Sequence, residues 1–408
     1  MTPTEITIRS VEPDPKSLTL PYLIDHKAGL NQSVSPKSKI MIFKKTKHLF
    51  CTIAAVVIGS NAIAAEKPLK VYIMAGQSNM QGKAQVRTIE RLKLAGGDME
   101  MYQNMMTSDG KLIAPKGVYG VYYTNGDMKR GQVREITESK GPSLPGFVEN
   151  PEPGTTFGPD YTFGIYMQKH LNEPILIIKT AWGGRDLIQQ FRPPSAGPYK
   201  ADKDKHGNET GAYYRLMIKQ VEATLAKLGD YHPEYKASAG YELAGFVWFQ
   251  GFNDLIGPYP GGDYSEYTKT LAALIRDLRK DLKAPNLPVV IGVMGIDGPI
   301  ENKNDRQYKF REAQAAVAAL PEFQGNVVAV HTAPFWDMEL ARITQKAKGG
   351  ATKGKPKNLD SLTPDERKIV DTGISDEGFH YMGSALTYGR IGKSFADAMN
   401  QLSAKGKK

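Results

Sequence analysis

Apolar residues along this chain gather into short continuous runs, separated by stretches in which they recur every three or four positions. Five runs read as strands: Val71–Ala75, Pro174–Lys179, Ala244–Phe249, Pro288–Met294 and Asn326–His331. Because they are continuous rather than alternating, each is expected to be covered on both faces. Helical spacing takes over between them. Tyr161–Leu171 places Phe163, Met167 and Leu171 on one side, with Pro159 suited to its first turn. Ala212–Leu228 repeats Tyr213, Leu216, Met217, Val221, Leu225 and Leu228. Asp263–Leu282 does the same with Tyr267, Leu271, Leu274, Ile275, Leu278 and Leu282. Two more helices are expected at Tyr308–Leu320 and at about Gly383–Leu402. Strands alternating with helices predict an α/β protein: one three-layer α/β/α domain, from about residue 66 to 402, around a central, mainly parallel five-stranded sheet.

Some stretches resist this pattern. Residues 85–155 are rich in Gly, Pro, Lys and Tyr and show no regular period. An excursion of that length predicts a loop-rich wall beside a functional site. Phe191–Gly211 and Thr344–Asn358 read as loops, and residues 403–408 as a basic tail.

The N-terminal pattern is of another kind. Met41–His48 is basic, Leu49–Gly59 is apolar, and Asn61-Ala62-Ile63-Ala64 ends in small-x-small. That order predicts a secretory signal peptide over 41–64, and a secreted or periplasmic protein. Its apolar part is well short of the ~20 residues that span a bilayer, so no stable membrane insertion is expected. Signal peptides begin at the start methionine, so the first forty residues are expected to reflect a misplaced start, with Met41 the true one. Cys51 is the chain's one cysteine and lies inside this leader. A mature chain would then have no disulfide and no cysteine-held metal.

Charge changes the picture little. The net charge is +10, but residues 1–64 hold eight Lys/Arg against four Asp/Glu, leaving +6 for the remainder. Much of that sits in lysine-rich segments such as Lys346–Lys357 and Lys405–Lys408. With no basic stripe interleaved with aromatics, no nucleic-acid partner is expected. His170, His206 and His232 suggest no metal cluster.

Open parallel sheets bind ligands beyond the carboxyl ends of their strands, which makes the loops there the candidates. They hold Gly76-Gln77-Ser78-Asn79, Trp182-Gly183-Gly184-Arg185-Asp186 and Gln250-Gly251-Phe252-Asn253-Asp254, and His380 stands before the last helix. Acyl transfer needs a hydroxyl nucleophile, a base for its proton and donors aimed at the developing oxyanion. Serine, histidine, glycine amides and asparagine are those parts.

With these blocks in order, the chain resembles the SGNH-hydrolase superfamily, and within it the sialate O-acetylesterase and acetylxylan-esterase-like carbohydrate esterases. Gly76–Met80 resembles that family's nucleophile block. Phe157-Gly158-Pro159 with Lys179–Gly184 resembles its second block, Trp248–Asp254 its third, and Gly378-Phe379-His380 its histidine block. The resemblance spans roughly residues 69–400 and implies a flavodoxin-like SGNH fold. It implies a secreted serine esterase acting on acetylated oligo- or polysaccharide, without cofactor or metal. Ser78 would be the nucleophile and His380 the base. The oxyanion hole would combine the Ser78 amide, a Gly183 or Gly184 amide and the side chain of Asn253, or alternatively of Gln250. Gln77, Trp182, Arg185, Phe252 and Asp254 are candidate substrate contacts; Trp182 and Phe252 either stack on a sugar ring or close the core.

Two positions depart from the family's pattern. Its glutamate after Gln-Gly is Phe252 here. Its aspartate three residues before the histidine is Glu377, with Asp376 one step earlier. Glu377 is favoured on spacing to orient His380, ahead of Asp376, with Asp254 a third candidate. These departures motivate a second reading, a carbohydrate-binding protein with degraded catalysis on the same fold. A third is an esterase for lipid or another acyl ester, against which the polar, Tyr-rich loops argue.

Overall fold

A computed structural model of the chain describes residues 66–405, except 125–127, 130–131, 134–136, 258, 260–261 and 348–357. The leader expected at 41–64 and the stretch before it lie outside the described residues. Seven strands form one sheet: β1 (Leu69–Gly76), β2 (Val118–Thr124), β3 (Thr137–Pro142), β4 (Ile175–Ala181), β5 (Tyr241–Phe249), β6 (Val289–Val293) and β7 (Val327–His331). Their spatial order is β7-β6-β5-β1-β4-β2-β3. Every neighbouring pair is parallel except the edge pair β2–β3. The five strands read from apolar runs are all present. The sheet is wider than expected because residues 85–155 supply two more.

The helices follow in chain order: α1 (Ser78–Gln81), α2 (Met99–Met105), α3 (Pro159–Leu171), α4 (Ala212–Leu225), α5 (Phe252–Leu255), α6 (Ser265–Asp281), α7 (Arg306–Ala316), α8 (Met338–Ala347), α9 (Pro364–Gly373) and α10 (Ala385–Lys405). Side-chain alternation along β5 shows how the sheet is covered. Phe249 meets Phe395 of α10 edge-on at 5.4 Å, while Trp248, pointing the other way, donates to the Tyr267 hydroxyl of α6 at 3.4 Å. On the α10 side Tyr72 of β1 also packs edge-on against Phe163 of α3 at 5.3 Å. With helices on both faces, β1, β4 and β6 are almost wholly buried, which is why they read as unbroken apolar runs.

Several expectations change here. The 85–155 segment is not a single loop. It holds α2, β2 and the edge strand β3 as well as a 3₁₀ turn at Val86–Lys93. β2 has an interior glycine, Gly120, where a Cβ would lie 2.0 Å from the Phe147 ring. β3 reads Thr-Glu-Ser-Lys-Gly-Pro, without an apolar run, as an exposed edge strand tends to be. α8 already covers Thr344–Ala347 of the predicted loop, and α9 was not foreseen although Thr363 and Glu366 form a capping box at its start. The basic tail begins inside α10, which runs to Lys405.

Candidate active site

The register of the central strands aligns the three blocks. Gly76, the last residue of β1, is opposite Ala181 of β4 on one side and Phe249 of β5 on the other. Gln77-Ser78, Trp182-Gly183 and Gln250-Gly251 therefore leave the sheet side by side, each beginning one residue past an aligned strand end. β1 is also the switch point of the sheet, since the chain reaches β4 on one flank and then crosses to β5 on the other. The packing is close enough to require glycine at Gly76, where a Cβ would sit 2.0 Å from the Phe249 carbonyl oxygen.

Ser78 opens α1. The amides of Met80 and Gln81 donate to the Gln77 carbonyl, both at 2.9 Å, so the Ser78 and Asn79 amides precede the first bond of the turn. Gly183 lies against this turn: a Cβ there would be 3.8 Å from the Ser78 Cβ and 2.8 Å from Gln81 Oε1. Beneath α1 a buried lysine closes its far end. Lys179 Nζ donates to the Gln81 carbonyl at 2.6 Å and to Asp160 Oδ1 at 2.8 Å. Burial holds Lys179 below its ordinary pKa, with Asp160 opposing that shift.

His380 sits in an irregular turn, Gly378–Gly383. Its Nδ1 is 2.8 Å from Asp376 Oδ1, and the same oxygen accepts from the Glu377 amide at 2.7 Å. Glu377 is exposed and serves the turn through its backbone, its carbonyl accepting from the His380 and Met382 amides at 2.9 and 3.0 Å. The preference for Glu377 is thereby corrected: the chain folds back over 376–380, and the four-residue separation brings Asp376 to the ring. Tyr381 and Met382 both adopt left-handed backbone, with φ of 53° and 57°. Such residues cost about 1–2 kcal/mol each and persist where surrounding contacts outweigh that. Here the buried Tyr381 hydroxyl accepts from the Gly295 amide at 2.8 Å and bonds the Thr332 hydroxyl at 2.7 Å.

Two side chains tie this turn to the serine turn. Asn79 Nδ2 donates to the Phe379 carbonyl at 3.2 Å, while Asn79 Oδ1 accepts from the Tyr388 hydroxyl of α10 at 2.7 Å. Ser78 and His380 are thus each one residue from a single hydrogen bond joining their loops. The Ser375 hydroxyl, one residue before Asp376, lies 2.9 Å from the Lys83 carbonyl and accepts from the Gln85 amide at 3.1 Å.

Burial pushes the His380 pKa below its ordinary value of 6.5; Asp376 opposes this and the positive charge of Lys83 adds to it. Both the burial and Lys83 favour the neutral ring, the form that a general base requires. An NMR titration of the His380 ring protons is expected to give a midpoint below 6.5. Lys83→Met is expected to move it upward, since one nearby cation is removed. A downward move would reject this reading of the charge balance.

The third block is mostly interior. Gln77 is 1 % exposed; its Nε2 donates to Asn253 Oδ1 at 3.1 Å, and its Oε1 accepts from the Gly251 and Asn253 amides and from Gln250 Nε2. Gln250 Nε2 also faces the Arg185 carbonyl at 3.0 Å and the Asp254 carboxylate, so its two N–H groups are engaged inside the protein. This removes Gln250 as the alternative oxyanion donor and Gln77 as a substrate contact. Asp254 is fully buried and accepts from the Leu187 and Ile188 amides at 2.8 and 3.1 Å and from the Tyr259 hydroxyl at 3.0 Å. It braces the loop after β4 and touches neither His380 nor the surface. Burial, then the charge of Asp186, push its carboxyl up to about 7.

Trp182 and Arg185 are corrected for the same reason. The Trp182 ring is 2 % exposed and packs against Phe191 and Tyr213 at 5.8 and 5.4 Å. The Arg185 guanidinium lies over Tyr213 at 4.8 Å and is 6 % exposed. Asn253 is only half-buried, and its Nδ2 donates to the Gly184 carbonyl at 3.0 Å, which fixes the loop carrying Gly183. Phe252 is the one proposed substrate contact at the rim. Sequence reasoning missed Asn79, Phe379 and the Lys179–Asp160 pair. A lysine closing the apolar run Ile175–Ile178 was a legible signal for the last of these, because an unpaired charge there would be prohibitively costly.

Comparison with known proteins extends beyond this geometry. None of the curated proteins matches the chain. Among solved structures, a protein from Arabidopsis thaliana is 18 % identical over 81 % of this chain and 98 % of its own, with a TM-score of 0.39. A carbohydrate acetylesterase from Xanthomonas citri is 16 % identical over 74 % of this chain and 54 % of its own, at 0.41, and NanS is 17 % identical over 83 % and 98 %, at 0.40. The family model "Carbohydrate esterase, sialic acid-specific acetylesterase" matches residues 68–335, taking in the Ser78, Gly183 and Asn253 blocks and stopping short of His380. As that match covers well over half of a chain whose three aligned strand ends carry these blocks, the chain belongs to the sialic acid-specific acetylesterase family of carbohydrate esterases and is a carboxylic ester hydrolase.

Proposed function

We propose that the protein removes O-acetyl groups from acetylated carbohydrate through an acetyl-serine intermediate, and that the leader at 41–64 exports it. The observation carrying this reading is the 2.8 Å Asp376–His380 contact, held one residue from the bond between Asn79 and the Phe379 carbonyl. With Nδ1–H directed at Asp376, Nε2 is the basic nitrogen. It takes the proton of Ser78 as Oγ attacks the ester carbonyl carbon. The oxyanion is met by the Ser78 and Gly183 amides and by the second N–H of Asn253 Nδ2. Collapse breaks the bond to the sugar oxygen, which receives the proton from His380. A water then attacks the acetyl-serine, giving its proton to His380, and acetate leaves as Ser78 is reprotonated.

The Asp376 contact also bears on the second reading, since the unsettled acid behind His380 was one of its two motives, the other being Phe252 in place of glutamate. A panel of acetylated xylan, sialate, pectin and algal polysaccharides, assayed for acetate, tests the proposal together with labelling by a serine-reactive phosphonate. Acetate from at least one substrate and stoichiometric label on Ser78 are expected. A folded protein that releases none and takes no label would be a binding protein instead.

A further inference from the structure

Phe379, directly before the half-buried His380, is 39 % exposed. Its ring is 4.5 Å from the His380 ring, edge to face, and stacks on Phe252 at 5.2 Å with the planes 23° apart. Phe252 opens α5 just past β5 and Phe379 lies in the turn before α10, so the two are far apart in sequence and meet at this rim. Ile256, whose amide bonds the Phe252 carbonyl one turn on, lies on the same side of that turn and is 57 % exposed. The result is an apolar ledge running outward from the imidazole. It is also fixed in place: the Phe379 carbonyl is held by Asn79, and Asn253, next to Phe252, is held by Gly184 and Gln77.

Reaction geometry says what the ledge faces. Because His380 must return a proton to the departing oxygen, the alcohol half of the ester lies on the imidazole side, and the acyl half lies towards Gly183. Groups that flank the imidazole and reach solvent therefore meet the alcohol. A flat, rigid aromatic surface matches the C–H face of a pyranose ring, whose hydroxyls point around its edge and stay in water. We propose that Phe379 and Phe252 form the alcohol-side subsite, stacking on the apolar face of the sugar ring that bears the ester. This rests on the esterase reading above and adds which half of the substrate is recognised and by what. It also gives the position where the family has glutamate a task in this chain: Phe252 backs the exposed Phe379 ring.

The test compares two acetate esters, an O-acetylated methyl pyranoside and ethyl acetate, with wild type, Phe379→Ala, Phe379→Tyr and Phe252→Ala. Wild type is expected to hydrolyse both. Phe379→Ala should raise KM for the pyranoside by about fivefold to tenfold, the usual effect of losing one stacked ring, and leave kcat/KM for ethyl acetate within about twofold. Phe252→Ala should move in the same direction by less, and Phe379→Tyr should keep most of the pyranoside affinity. Equal losses on both esters would make the ring a prop for His380 and overturn the subsite. Unchanged kinetics on both, or a wild type active on ethyl acetate alone, would also overturn it while leaving the esterase reading intact. Wild type inactive on both would overturn the esterase reading itself.

Discussion

Ser78→Ala is expected to lower kcat for an aryl acetate by roughly 10⁵–10⁶, to near the level left by binding and oxyanion donors alone. The hydroxyl is the atom that forms the acyl bond, and no neighbour can replace it: Asn79 is committed to Phe379 and Tyr388, and Gln77 to the 250–253 turn. The fold should survive. The bonds that close α1 run from the Met80 and Gln81 amides to the Gln77 carbonyl and leave the serine side chain out. Losing one small hydroxyl should alter stability by less than about 1 kcal/mol, which a thermal melt would verify. Undiminished turnover in a folded Ser78→Ala protein would remove the nucleophile assignment and the mechanism built on it.

Asp376→Asn is expected to lower kcat by about 10³–10⁴, whereas Glu377→Gln should stay within about threefold of wild type. The carboxylate on Nδ1 holds the tautomer that leaves Nε2 basic and stabilises the imidazolium formed during attack. An asparagine amide placed there can donate to Nδ1 and so hold the wrong tautomer. The pH profile separates this from general damage. Asp376 raises the His380 pKa against the lowering by burial, so its removal shifts the acid limb of kcat/KM further down in pH. A variant that is merely misfolded loses activity without moving that limb. Equal effects of the two substitutions, or a larger one from Glu377→Gln, would reject Asp376.

The contrast between these carboxylates shows where sequence reasoning reaches its end. Spacing relative to His380 favoured Glu377, but the turn contains two consecutive left-handed residues, Tyr381 and Met382, held by a hydroxyl that bonds Gly295 and Thr332. Nothing local to 376–380 announces those distant partners. Likewise Gln77, Trp182, Gln250 and Asp254 were rightly placed at strand ends, yet their direction was not readable. Adjacent residues in a turn can face solvent or the interior, and these face inward to hydrogen-bond one another. β2 and β3 escaped notice because one is interrupted by a glycine and the other lies at an edge, where no apolar run is needed.

By itself the sequence determined the parallel core and the edge at which the chemistry sits. Strands buried on both faces must be apolar throughout, helices that cover them must be apolar on one side, and the residues following each strand must emerge at its carboxyl end. Those are local constraints, written residue by residue. Only the tertiary structure decided the register that sets Gly76 between Ala181 and Phe249, the inward turn of the polar block side chains, the choice of Asp376, and the meeting of Phe252 with Phe379. Each of these joins segments far apart in the chain, or depends on an anchor supplied by one, so its energy belongs to contacts that exist only once the sheet has formed.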